Sequence, residues 1–348
     1  MRRLLVSIVV AVSAVVLVPV PVSAAAPTWY QRGTQMTPRF EWNANGGYCG
    51  EMSFVSAGML FGQYTSQWTV RKLANPRARQ WERASWLLLG TKTERRAARA
   101  MRLATVRFDS ARQRSVPQYL AWVKEHALRR EAVIIGVLNN TTTLDERGPG
   151  DPLYDHIVPV FGVGSQHSLQ RYRGTYFATD TLTISDNGLY SVGPNYPMLF
   201  SYAFGDFPQS RSAANAPGGP LYSLRNRPWN FATAVVGVDD PDRVTVPVRL
   251  TSSLDGEGIH DEPVMKRRPR GRQMTLTARV SIPDQARAYV VYLYDDFATV
   301  PTRDFNAQAG NAIDSWTIPA GSGPTWSVTI DAQTSDTRVF RAVPVSAP

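Results

Sequence analysis

The chain has 348 residues, of which 43% are hydrophobic and 19% charged, a globular composition that excludes a disordered chain. Its formal net charge is +10, carried mostly by arginine. A basic surface favours acidic partners such as anionic cell-surface polymers, membranes, nucleic acid or acidic substrates, without choosing among them. The length allows two domains or one large one, and the 25 prolines and 25 glycines imply many turns and considerable β structure.

Residues 1–24 read as a secretory signal. Arg2 and Arg3 supply a positive start, "LLVSIVVAVSAVVLV" (4–18) an apolar core, and "VSA" (22–24) a small-residue cleavage site. The competing reading is an uncleaved anchor, since 4–22 nearly reaches spanning length; Pro19 and Pro21 favour cleavage. The expected product is secreted or held in the cell envelope, begins near residue 25, and is not an integral membrane protein. No other apolar stretch is long enough to cross a bilayer.

Residues 25–240 mix helical and strand patterns and predict an α+β domain. Apolar residues in "GEMSFVSAGMLFGQY" (50–64) suit a helix buried on more than one side. "NPRARQWERASWLLLG" (75–90) and "TERRAARAMRLATVRF" (93–108) read as amphipathic helices. In "SVPQYLAWVKEHALRR" (115–130), Ser115 is an N-cap and Pro117 fits the first turn. "EAVIIGVLN" (131–139), "HIVPVFGV" (156–163) and "TYFATDTLTIS" (175–185) read as strands. The character then changes near 235–250. Alternating runs at 243–250, 273–282, 288–295, 325–331 and 338–345 predict an all-β domain over 241–348, a sandwich of the immunoglobulin or fibronectin type.

The only cysteine, Cys49, follows Gly46 and Gly47 and opens the 50–64 helix. Exported proteins pair their cysteines, so a single one is a buried inert thiol, a link to another chain, or a reactive nucleophile. The free N–H groups of a helix N-terminus favour a thiolate and can bind an oxyanion, and a nearby imidazolium would lower the thiol pKa further. Of the four histidines, His156 starts a strand, the most rigid mounting for a base. His126 lies on a helix, His167 in a loop and His260 in the second domain. If strands 156–163 and 175–185 form an antiparallel hairpin, Asp186 returns beside His156, where a carboxylate would orient the ring. Asn187 is the alternative, because neighbouring residues on a strand face opposite sides.

In order and context these segments resemble the papain-like cysteine peptidases, most of all the bacterial-type branch that includes the double-glycine leader peptidases. "GGYCGEMSF" resembles the nucleophile segment, "AVIIGV" and "DHIVPVFGV" the strands around the base, and "LTISDNG" the third-member segment. The resemblance covers about residues 40–205. It implies a Cys49–His156–Asp186 triad cleaving peptide bonds by hydrolysis or transpeptidation, with no metal and no cofactor. The family's oxyanion-hole glutamine, six residues before the nucleophile, is here Asn43, with Asn45 a rival. The expected partner is a peptide or protein substrate, with an anionic cell-surface polymer a second class and nucleic acid not expected. The alternative is a non-catalytic surface or adhesion protein that keeps this scaffold and binds through its basic face.

Other features have plain readings. Glu51 suits the helix N-terminus, although pointed at Cys49 it would oppose a thiolate. "MKRRPRGRQ" (265–273) reads as a solvated loop, and "VDDPD" (238–242) and "LDGEGIHDE" (254–262) as acidic turns without an EF-hand spacing. "NNTT" (139–142) holds overlapping N-glycosylation acceptors.

Overall fold

The computed structural model describes residues 29–112, 115–140, 153–189, 198–207, 215, 217–225, 230–255 and 267–345. Residues 1–24, read above as a signal, His260, most of the 254–262 acidic stretch and the threonines of "NNTT" lie outside them. Among the described residues, no helix is long and apolar enough to cross a membrane.

The chain is α+β with antiparallel sheets. Its elements in order are β1 (Tyr30–Gly33), α1 (Cys49–Leu60), β2 (Gln63–Tyr64), α2 (Gln67–Ala74), α3 (Lys92–Ala100), β3 (Leu103–Arg107), α4 (Val116–Leu128), β4 (Ala132–Asn139), β5 (His156–Ser165), β6 (Thr181–Ser185), β7 (Leu199–Ala203), β8 (Tyr222–Ser223) and β9 (Ala232–Val238). There follow β10 (Val248–Ser252), β11 (Gln273–Ser281), β12 (Tyr289–Tyr294), β13 (Asp314–Ile318), β14 (Thr325–Gln333) and β15 (Arg338–Pro344). The first half builds one sheet in the order β3-β9-β4-β5-β6-β7, with β1 added to β5 and β8 to β4. β4 and β5, at its centre, are buried almost throughout, which explains why their sequences read as continuous apolar runs.

Helix α1 packs on one face of this sheet. Its glycine Gly50 is required there: a side chain would overlap the Leu87 carbonyl oxygen. Nearly every residue of α1 is buried, as expected for a helix with no polar stripe. Helix α4 covers the opposite face. It carries the expected Ser115 cap, completed as a capping box by Gln118. Its buried Lys124 pairs with Asp180 at 2.6 Å and donates to the Thr175 carbonyl, which fixes the approach to β6.

Two expected helices are not formed as read. Over 75–90 the chain is turns and a single 3-10 turn at Arg83–Ser85. Pro76 disfavours the helical conformation for Asn75, which is extended at φ −150° and ψ 94° and ends α2. Over 93–108 the helix stops after Ala100, Arg102 adopts φ 55°, and the remainder becomes β3. Met101, Leu103 and the buried helix alanines still serve one core, so burial was legible while the change of period was not.

Beyond β9 the described strands form two smaller sheets, β10-β11-β14 and β13-β12-β15. The latter is extended by β2 from the first half, with Arg338 opposite Tyr64 and Val339 opposite Gln63. Side chains from both small sheets and from α1 share one buried cluster, including Leu276, Val291, Phe340 and Phe54. The two halves are therefore joined by a shared strand ladder and a shared core.

Candidate active site

The turn before Cys49 is built by its glycines and held by a buried arginine. Gly46 and Gly47 have φ of 82° and 84°, in the left-handed region, and a side chain on Gly46 would overlap Trp86. Arg71 donates to the backbone carbonyls of Asn45, Gly47 and Gln80 and stacks over Tyr48 at 3.6 Å. Its Nε also pairs with Glu51 at 2.8 Å, and both side chains are almost fully buried. Glu51 accepts the Leu87 N–H as well. The acid in the first turn of α1 is thus a structural partner of Arg71 and the Leu87 N–H.

The first intrahelical bond runs from the Met52 N–H to the Tyr48 carbonyl. The N–H groups of Cys49, Gly50 and Glu51 therefore have no acceptor within the helix. Cys49 is free and half-buried.

His156 opens β5 opposite Val137 of β4. The expected hairpin forms: β5 and β6 pair antiparallel, with Val160 opposite Ile184, and the chain beyond β6 comes back to His156. The contact it makes differs from the expectation. His156 Nε2 lies 2.9 Å from the backbone carbonyl oxygen of Asp186. A carbonyl only accepts, so Nε2 carries the proton and Nδ1 keeps its lone pair. The Asp186 carboxylate instead accepts the Gly188 N–H at 2.8 Å. Alternation of faces did not apply here because β6 ends at Ser185 and Asn187 turns through φ 55°.

Asn187 has a different part. Its Nδ2 donates to the Cys49 carbonyl at 3.3 Å, the Ser53 hydroxyl at 3.3 Å and the Ile157 carbonyl at 3.2 Å. Its backbone carbonyl accepts the Glu41 N–H at 2.8 Å. One fully buried residue thereby ties together the main chains at Glu41, Cys49 and the residue after His156.

Glu41 was not singled out from the sequence, yet it is the acid that reaches the centre. One carboxylate oxygen of Glu41, the Cys49 sulfur and a ring nitrogen of His156 all lie within 4.8 Å of one another. Glu41 is buried, and its carboxylate is 4.0 Å from His156 Nδ1. Asn43, expected to serve the oxyanion, is exposed. Asn45 donates to the Tyr48 hydroxyl. The signal available for Glu41 was an acid between Phe40 and Trp42 just upstream of the glycine turn, a setting that favours burial of the whole segment.

Burial dominates the protonation of both Cys49 and His156. It pushes the Cys49 thiol well above its usual value, and the charges of Glu41 and Glu51 push it further, against smaller opposing effects of the Ile157 backbone and Arg71. Burial lowers His156 to about 4, against the raising effect of its bond to Asp186. The resting site is a neutral thiol beside a neutral imidazole, and the expected lowering of the thiol pKa by the helix terminus is outweighed by desolvation and like charge.

Among the described residues, the other histidines and the acids of the two acidic segments are engaged elsewhere. His126 bonds the Glu131 carboxylate and packs on Trp122; His167 stacks on Phe177. Asp240 accepts from the Thr245 backbone and hydroxyl, a turn as read, and Asp255 pairs with Arg39, an ion pair that the sequence did not suggest. Comparison of the chain with protein families, curated proteins and solved structures finds no significant match.

Proposed function

We propose that the chain is an exported cysteine hydrolase of papain-like architecture, with a β-sandwich as its second domain, that cleaves peptide or related amide bonds through Cys49 and His156. The observation that carries this reading is the tautomer of His156. Its Nε2–H is fixed on the Asp186 carbonyl, which leaves Nδ1 as the basic nitrogen, and a ring nitrogen of His156 lies within 4.8 Å of the half-buried sulfur at the start of α1.

The chemistry begins from the neutral pair. As the Cys49 sulfur attacks the amide carbonyl, its proton passes to His156 Nδ1. The N–H groups of the first turn of α1 stabilise the oxyanion, which replaces Asn43 in the role expected for it. The imidazolium then protonates the leaving amine. Water, deprotonated by the same Nδ1, releases the acyl group and restores the thiol. In this mechanism Asp186 orients His156 through its backbone carbonyl, and Asn187 positions Cys49 and the start of β5.

Incubation with a pool of internally quenched fluorescent peptides tests the reading. The wild type should release fluorescence, and Cys49→Ser and His156→Ala should not. A specific observation also favours the non-catalytic alternative: the thiol is pushed up and faces an acid. On that reading no peptide is cleaved and Cys49→Ser leaves the protein's binding intact.

A further inference from the structure

Glu41, Cys49 and His156 come from three separate segments, a loop, a helix start and a strand start, and converge on one buried spot. Their donor atoms, a carboxylate oxygen, a sulfur and an imidazole nitrogen, lie within 4.8 Å of one another. For hydrolysis the Asp186 carbonyl already orients the ring, which leaves the Glu41 carboxylate only the lesser part of stabilising an imidazolium from 4.0 Å. The set of three is instead the donor chemistry of a borderline divalent cation such as Zn2+.

The spacing suits that ion. Bonds of about 2.0–2.3 Å in a tetrahedron separate the donors by roughly 3.3–3.8 Å. Glu41 and His156 Nδ1 are already 4.0 Å apart, so side-chain movements of about 1 Å or less close the set around a metal. The charge also balances. Binding releases the Cys49 proton to solvent, and the thiolate and carboxylate then carry two negative charges against the two positive charges of the ion. A neutral assembly is what a buried site tolerates.

The groups behind the donors are in place too. A metal-bound imidazole ordinarily donates its second N–H to a carbonyl or carboxylate, as His156 does to Asp186. Asn187 holds the Glu41 N–H and the Cys49 carbonyl from one residue, and the Ser53 hydroxyl donates to the Cys49 carbonyl at 2.8 Å.

We propose that Glu41, Cys49 and His156 form a three-ligand site for Zn2+ or a closely similar divalent cation, with the fourth position open to solvent, and that its occupancy silences Cys49 as a nucleophile. The silencing rests on the hydrolase reading above; the ligand set does not. Metal and acyl transfer compete for the same sulfur and the same Nδ1, so the protein is active only when the site is stripped.

Cobalt reports the site directly, because a thiolate bound to Co2+ gives an intense near-ultraviolet charge-transfer band. Titration of the purified wild type with Co2+ should give this band at one equivalent, and Zn2+ should abolish it. Cys49→Ser should show no band, and the near-isosteric Glu41→Gln should bind Co2+ at least about tenfold more weakly, with unchanged far-ultraviolet circular dichroism. In parallel, Zn2+ should protect Cys49 from iodoacetamide in the wild type, with chelator restoring the reaction. A wild type without the band, or a Glu41→Gln variant with unchanged affinity, overturns the proposal. Peptide cleavage is assayed separately in chelator. A protein that binds Co2+ but cleaves nothing keeps the metal site and loses the hydrolase; one that cleaves without the band does the reverse.

Discussion

His156 donates its Nε2–H to the main-chain carbonyl of Asp186 at 2.9 Å, while the Asp186 carboxylate is turned to the Gly188 N–H. The orientation of the His156 ring therefore depends on where the backbone runs after β6 and not on the charge of residue 186. Asp186→Asn keeps an oxygen for Gly188 and keeps the carbonyl. It should leave peptide cleavage within about threefold of wild type, whereas loss of an orienting carboxylate costs about ten-thousand-fold. Steady-state rates of the variant decide between the two.

Asn187 should be the more sensitive neighbour. Its side chain makes three bonds that join α1 to β5. Asn187→Ala removes them from a buried setting and should cost about 2–4 kcal/mol of stability. It should also lower the cleavage rate, because Cys49 and the start of β5 lose their common anchor. Denaturant unfolding gives the first quantity and single-turnover kinetics the second.

The buried pair of Arg71 and Glu51 holds the turn ahead of Cys49. Arg71→Met strands the Glu51 charge and frees the carbonyls of Asn45, Gly47 and Gln80. The expected loss is about 3–5 kcal/mol, measured by urea unfolding. The double variant with Glu51→Gln should recover part of it, since no buried charge then remains unpaired.

Acid should destabilise the protein through His156. Its folded pKa of about 4 lies below the unfolded value of 6.5, so the unfolded chain binds the extra proton between these values. The stability due to the neutral ring is complete above pH 6.5 and is lost as pH falls toward 4. For this fully buried ring the loss amounts to roughly 3 kcal/mol. Thermal unfolding in chelator should show the midpoint falling across that window, with a shallower fall in His156→Phe.

The parts of the site that were legible in the sequence are those fixed by local rules. Gly46 and Gly47 announce a turn, and Cys49 begins the helix where the apolar pattern starts. Ser115 and Pro117 mark the start of α4. The β-branched run of β4 and the apolar start of β5 mark the centre of the sheet. What stayed hidden depends on contacts between distant segments. Glu51 finds Arg71, Glu41 finds His156, and β2 leaves the first half to complete the sheet of the second. The choice between Asp186 and Asn187 failed for a local reason, since the strand ends one residue too early for face alternation to decide. Pro76 explains the end of α2, since it holds Asn75 extended, but not the loss of helix beyond it, because Asn followed by Pro also suits a helix start.

The central claim is that Cys49 forms a covalent acyl intermediate with His156 as its base. Intact-mass spectrometry after brief mixing with an activated peptide ester in chelator tests it most directly. One acyl group should appear, map to Cys49, and decay to free enzyme. It should be absent in Cys49→Ser and both form and decay at least about a hundredfold more slowly in His156→Ala. A wild-type protein whose mass does not change, or an acyl group on Cys49 whose formation and decay ignore His156, would contradict the account.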